Sequence, residues 1–197
     1  MKTLFPVVLL CCVTGRVSGQ APALFPVDKV TRRICYAAVV PAAGVSPADL
    51  HARALAWAGS VSPATPPVVV QEPDTEVITA SGAQPFVYTY ASTKNGTRPP
   101  QHYTTSLVLH YTAKLALRAG RYRYELMDFV FEYPTARPPL PTQASAEDDL
   151  IRTRAITEEG GQMLASERQG FAAAAAKLQA QLQERLRTPV APAEARQ

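Results

Sequence analysis

The feature that most constrains this chain is a strict period-two alternation near its centre. Leu107, Leu109, Tyr111, Ala113, Leu115 and Leu117 alternate with Val108, His110, Thr112, Lys114 and Ala116. Successive side chains of a strand point to opposite faces, so this pattern predicts a long half-buried strand. Arg118-Ala119-Gly120-Arg121 follows as a loop in which glycine permits positive φ. Tyr122, Tyr124 and Leu126 then alternate with Arg121, Arg123 and Glu125. Placing Leu117 opposite Tyr122 keeps both apolar sets on one face and fixes the register of an antiparallel hairpin. Such a hairpin needs a cover for its apolar face and can leave the other face wet.

The flanking sequence supplies the cover. Arg32 to Val40 reads as a strand bounded by Pro41. Ser46-Pro47 gives a helix cap and a proline at the first helical position. Leu50, Ala54 and Trp57 follow at helical spacing, with Gly59 as the expected stop. A loop with Pro63, Pro66 and Pro67 leads to a strand at Val68–Val70. After a turn at Pro73-Asp74, Glu76–Ala80 reads as one strand and Phe86–Tyr90 as another. Asn95-Gly96 and Pro99-Pro100 mark a loop too long for a tight hairpin, and the triplet Asn95-Gly96-Thr97 fits a glycosylation acceptor, a three-residue match that chance often supplies. Beyond Pro134, Pro138, Pro139 and Pro141, the run Ser145-Ala146-Glu147-Asp148 resembles a capping box and predicts helix. Leu150, Ile151 and Ile156 continue it, Gly160-Gly161 is read as a break, and Phe171, Ala175, Leu178, Leu182 and Leu186 form a second stripe ended by Pro189 and Pro192. The order is strand, helix, five strands and a long helix, which is an α+β class. All fifteen prolines from Pro41 onward are assigned to loops or element starts.

The N-terminus reads as a secretory signal peptide over 1–21: Lys2, an apolar run from Leu4 to Val13, and a small-residue exit at Gly19 or Ala21. Ten apolar residues are too few to span a hydrocarbon core of ~30 Å, so no stable membrane anchor is expected after cleavage. Leu10 before Cys11 is the wrong neighbour for lipidation. Removing the leader, with Cys11 and Cys12, leaves Cys35 alone and therefore no internal disulfide. It also removes Lys2 and Arg16, leaving 18 basic against 16 acidic residues, a charge of +2. That small excess argues against a nucleic-acid partner.

Catalytic chemistry finds little support. Cys35 reads as a small buried apolar residue rather than a nucleophile served by His51, His102 or His110. The three histidines lack metal-ligand spacing, so no metal and no cofactor are expected. Glu125, Asp128 and Glu132 read as charges on an open sheet face rather than as a glycosidase pair. No nucleophile elbow, phosphate loop or dinucleotide fingerprint occurs. Arg121-Tyr122-Arg123-Tyr124 interleaves cations and aromatics, but strand alternation turns the tyrosines inward and the arginines outward.

Val39-Val40-Pro41, Ser46-Pro47-Ala48-Asp49-Leu50, Ala54 with Trp57, and Gly120-Arg121-Tyr122-Arg123-Tyr124-Glu125 carry a resemblance. Over roughly residues 30–135 the chain resembles a secreted domain-of-unknown-function family of Gram-negative bacteria with a TATA-binding-protein-like (TBP-like) fold. The resemblance implies a curved antiparallel sheet with helices packed on one face, over residues 28–141. It assigns no activity or catalytic residue, and a fold name does not import DNA binding. Residues 142–197 are expected to form a C-terminal helical extension with a disordered tail. Trp57, Leu50, Tyr111 and Tyr124 are the expected core anchors.

The functional expectation is an exported, periplasmic or secreted, non-enzymatic binding or assembly module of the cell envelope. Its partner would be an envelope protein, peptide or glycan, held on the open face by Ser106, His110, Thr112, Lys114, Arg123 and Glu125. One alternative is self-association or scaffolding through the stripe Phe171, Leu178, Leu182 and Leu186; the other is an enzyme of unrecognised class.

Overall fold

The structure is a computed structural model and describes residues 25–61, 69–71, 76–93, 100–137, 141–153 and 157–189. The expected leader, the loops at 63–67, 73–74 and 95–99, the Pro138-Pro139 pair, Ile156 and the tail from 190 lie outside the described residues. The elements run β1 (Tyr36–Pro41), α1 (Pro47–Val61), β2 (Val69–Gln71), β3 (Val77–Ser92), β4 (Gln101–Arg118), β5 (Arg121–Glu132), β6 (Gln143–Ser145), a wide helical turn (Asp148–Arg152) and α2 (Glu158–Arg187). All strand pairs are antiparallel in the order β1-β5-β4-β3-β2, and β6 continues along β5.

The central hairpin keeps its expected register, with Leu117 opposite Tyr122 and Leu115 opposite Tyr124. Ala119-Gly120 is a two-residue tip, Gly120 sits at φ 71°, and the Ala42 N–H donates to the Gly120 carbonyl at 2.8 Å. Further along β5 the pairing slips. His110 faces Val130, whereas Thr112 faces Met127, so Asp128 and Phe129 together oppose Tyr111. Asp128 occupies the left-handed region at φ 54°, a conformation that Asp tolerates better than most residues. This bulge changes the parity of the strand. Tyr122, Tyr124 and Leu126 are buried before it, and Phe129 and Phe131 after it.

Those two rings complete an aromatic cluster around Phe171 of α2. Ring centroids of Phe25, Phe129 and Phe131 lie 5.3, 5.3 and 5.9 Å from that of Phe171, all edge-to-face. Gly170 lets the helix approach closely here, because a Cβ on it would come within 3.0 Å of the Phe86 ring. Leu164, Phe171, Ala175, Leu178, Leu182 and Leu186 are buried at three- and four-residue spacing. The helical segment thus shares one core with the strands. Leu50, Trp57, Tyr111 and Tyr124 are all 3% exposed or less. Both helices pack on the same face, and Arg53 of α1 donates to the Leu186 and Arg187 carbonyls at 3.1 and 2.7 Å, capping the end of α2.

Several local expectations need correction. The strands read at 76–80 and 86–90 are one continuous strand, β3, with Pro85 inside it opposite Val108. β2 pairs only with Ile78–Ala80, so Pro85 lies where the outer edge of β3 has no partner strand among the described residues, and its missing N–H costs no ladder bond. Gly82 is no loop either: the Tyr111 ring lies directly over it where a Cβ would sit. β1 starts at Tyr36 rather than Arg32, which sits at φ 60°. Helix α1 runs two residues past Gly59, to Val61. Gln143–Ser145 is strand, and the capping box at Ser145, whose Oγ accepts the Asp148 N–H at 3.1 Å, starts only a short turn closed by a five-residue Thr153 N–H to Asp148 carbonyl bond. Gly160-Gly161 breaks nothing: the glycines fall in the first turn of α2, whose cap is Thr157, with Oγ1 accepting the Gly160 N–H at 3.0 Å. The Trp57 side chain, 2% exposed, borders a shallow hollow with Arg53, Ser60 and Arg185.

The bulge makes a direct prediction. Deleting Asp128 removes the extra residue, so pairing becomes continuous with Phe129 opposite Tyr111 and both Phe129 and Phe131 still inward, whereas deleting Val130 turns Phe131 out of the core. Since losing one buried Phe costs ~3–5 kcal/mol, the Val130 deletion will melt far below the Asp128 deletion, which will keep a cooperative transition by near-ultraviolet circular dichroism. Asp128→Gly keeps the backbone conformation and will cost about 1 kcal/mol or less, whereas Asp128→Val will cost more than Asp128→Gly. Equal melting temperatures for the two deletion variants would refute the parity argument.

Candidate functional site

The face of the sheet away from the helices carries no covering element among the described residues. One edge is rimmed by the segment before β1. There Asp28 Oδ1 accepts from the Val30 and Thr31 N–H groups at 3.0 and 2.7 Å and from the Thr31 hydroxyl at 2.9 Å. These bonds, led by those from Thr31, hold the Asp28 carboxyl below the ordinary carboxylate range. A bridge between Val27 and Ile34 closes the loop, and the buried Glu147 carboxylate accepts the Ile34 N–H at 2.7 Å. Arg33 reaches across to Asp128 at 2.5 Å, so the ion pair ties this loop to the β5 bulge.

Between them lies a hollow of about 780 Å³, its charged wall formed by Asp28, Arg33, Arg123, Glu125 and Asp128. Its remaining wall is Cys35, Ala37 and Met127 with the loop residues Pro26, Val27 and Thr31. Cys35 is thus not the buried core residue expected from sequence; it is part-exposed on the wall. Desolvation, then the charges of Glu125 and Asp28, push its thiol above the ordinary value, against a smaller opposing effect of Arg123. No histidine lines the hollow. A thiol held neutral, with no histidine beside it, is a poor nucleophile, and the mixed charges of the wall are suited to holding a polar ligand. Among the described residues no group of three or more metal-ligating side chains converges.

All six residues predicted for the site fall on this open face. Arg123 and Glu125 line the hollow and pair with each other at 2.6 Å. Lys114 is the cross-strand neighbour of Glu125, and Thr112 that of Met127. His110 is taken by Glu132 at 2.6 Å, which separates Glu132 from the acids of the hollow. Ser106 lies beyond the end of β5, opposite Val87, and takes no part in the hollow. Sequence reasoning missed Asp28, Thr31, Arg33 and the location of Asp128. The Asp-x-x-Thr turn at 28–31 was the one available signal, and nothing in the periodicity placed it above the sheet.

A second polar group, also missed, lies under the first half of α2. Glu167 is 6% exposed, and burial followed by the nearby Asp149 charge pushes its carboxyl up to about 7, with Arg168 opposing. Tyr133 donates to Asp149, and the Tyr88 hydroxyl is raised to about 12 by burial and then by Glu167. Arg168 Nε donates to the Leu150 carbonyl at 2.8 Å and so holds the wide turn against α2. Glu167 sits at a stripe position between Leu164 and Phe171, so its spacing marked it as core while its type marked it as surface.

No protein-family model matches the chain, and no curated protein sequence does. Two solved structures share its fold. One is a TBP-like protein from Parabacteroides distasonis, with 14% identity, a TM-score of 0.56, and coverage of 85% of this chain and 100% of that one. The other is a DUF4468 family protein from Bacteroides ovatus, with 14% identity, a TM-score of 0.60, and coverage of 85% and 93%. The fold is accordingly TBP-like: a curled antiparallel sheet with helices on one side and a long C-terminal helix. Among the described residues no helix is long and apolar enough to cross a membrane.

Glu167 gives a pH prediction. Its folded pKa lies above the unfolded value near 4.5, so its contribution is fully present below pH 4.5 and is lost as pH rises through about 7. Glu167→Gln removes a penalty that grows to on the order of 3 kcal/mol. Urea denaturation at pH 5 and pH 8 will show the substitution stabilising at pH 8 far more than at pH 5. Equal effects at the two pH values would refute it.

Proposed function

We propose that the chain is an exported, non-enzymatic binding or assembly module of the cell envelope that takes a polypeptide or glycan on its uncovered sheet face. The observation that carries this reading is a division of labour within one sheet. One face is committed to the core beneath α1 and α2, and the other presents a hollow of about 780 Å³ flanked by Arg33, Arg123, Glu125 and Asp128. The neutral thiol with no histidine beside it, and the engagement of His110 by Glu132, support a binding rather than a catalytic role. The apolar stripe of α2 lies in the chain's own core, which favours the sheet face over the helix as the contact surface. Export rests on the Lys2, Leu4–Val13 and Gly19–Ala21 pattern.

Two measurements test the reading. In a Gram-negative host, the chain will accumulate in the periplasmic fraction at a mass reduced by the leader, and deleting residues 2–21 will retain it in the cytoplasm. A cytoplasmic full-length product sinks the export claim. In capture from envelope extract, the triple substitution of His110, Thr112 and Arg123 by alanine will lose the partners that the unsubstituted chain retains. Survival of every specific partner in the triple variant moves the site off this face.

A further inference from the structure

At the tip of the central hairpin the open face carries an arrangement that costs stability and serves no purpose in the core. Arg118 and Arg121 are directly opposed in the β4–β5 register, both exposed, and Arg123 follows Arg121 on the same face. Like charges opposite each other destabilise a strand pair. Glu125 neutralises Arg123 at 2.6 Å, but among the described residues neither Arg118 nor Arg121 meets a carboxylate. Glu76 shares a neighbouring hollow with Arg118 and forms no ion pair with it. The three arginines instead surround a hollow of about 410 Å³ whose other side chains include Val39, 61% exposed, and Ala116. The backbone beneath is fixed: β1 pairs Val39 with Arg123 and Pro41 with Arg121, and the Ala42 N–H holds the Gly120 carbonyl. The guanidinium groups are therefore presented from a rigid base around an apolar floor.

We propose that this hollow binds a phosphate monoester whose body covers Val39 and Ala116, a ligand class that rests on the open-face reading above and specifies it. The charge match selects the class. A phosphate monoester carries about −1.5 to −2 near neutral pH, which offsets the two uncompensated arginines; a carboxylate offsets one. Guanidinium also matches phosphate in geometry, offering paired donors to two oxygens. The exposed valine beside the arginines distinguishes a substituted phosphate from the free ion, because only the former buries apolar area there.

The test is isothermal titration of the mature chain with phenyl phosphate, inorganic phosphate and benzoate at 150 mM salt. Phenyl phosphate will bind most tightly of the three. Arg118→Gln/Arg121→Gln will weaken it at least tenfold, while Lys177→Gln/Arg185→Gln, which removes two charges from α2, will leave it unchanged. Relief of the opposed charges will hold or raise the melting temperature of the first variant, so lost binding is separable from lost folding. No binding of phenyl phosphate, equal binding of benzoate, or equal loss in both variants overturns the proposal. A sedimentation arm with phosphatidic acid in phosphatidylcholine vesicles identifies the source: retention that Arg118→Gln/Arg121→Gln abolishes points to a lipid headgroup, and no retention to a soluble ester. Failure of phosphate binding while face-dependent capture persists would sink this inference alone.

Discussion

The extra residue in β5 is the constraint on which most of this molecule depends. A strand of regular alternation would carry the even-numbered set inward along its whole length, placing Asp128, Val130 and Glu132 beneath α2 and Phe129 and Phe131 in solvent. The bulge at Asp128 resets the count, so the first half of the strand buries Tyr122, Tyr124 and Leu126 and the second half buries Phe129 and Phe131. Phe171 can then sit among three edge-on rings, and α2 gains its central fixing point. The same irregularity turns the Asp128 carboxylate towards Arg33, which draws the N-terminal loop over the edge of the sheet and closes one side of the hollow. Core and candidate site are two consequences of one local backbone conformation.

That dependence explains what could be read from the sequence. The hairpin register was legible because eleven alternating residues and a glycine-tipped loop admit one pairing that keeps the apolar sets together. The α1 cap was legible because Ser46, Pro47 and Asp49 act within three residues, and Ser46 Oγ accepts the Asp49 N–H at 3.1 Å. Alternation gave no warning of the bulge: Met127-Asp128-Phe129 is a phase change that looks like the end of a strand. Gly82 and Pro85 were misread for a related reason. Each signals a loop on its own, yet the tertiary setting, a tyrosine ring over one and an open edge beside the other, makes both acceptable in a strand. Gly160-Gly161 failed similarly, since a glycine pair costs least in a first turn that Thr157 already caps. The candidate face was legible from alternation alone, whereas the hollow was not, because its rim comes from a turn remote in sequence from the strands it meets.

The α2 helix holds to the sheet unevenly, and the inequality has a chemical cause. Its middle is close-packed where Gly170 admits the Phe86 ring, and its end is tied by Arg53 through the last carbonyls. Its first half meets the sheet through the polar groups Glu167, Asp149, Tyr133 and Tyr88, and among them the charge on Glu167 changes the energy of contact. An acid kept near the core at a pKa of about 7 sets the strength of that contact in the range where most extracytoplasmic and cytoplasmic fluids lie. The Ser92 hydroxyl donates to Glu159 at the very start of the helix, so the outer part of the β3–β4 ribbon shares the consequence. Loosening of the helix should therefore begin at its N-terminal half and stop at Phe171, where the aromatic cluster takes over. The open face lies on the opposite side of the sheet from that region, so the proposed contact surface can keep its shape while the far side adjusts. The stability gradient and the placement of the charged hollow thus separate the parts of the fold that can yield from the part that carries the proposed contact surface.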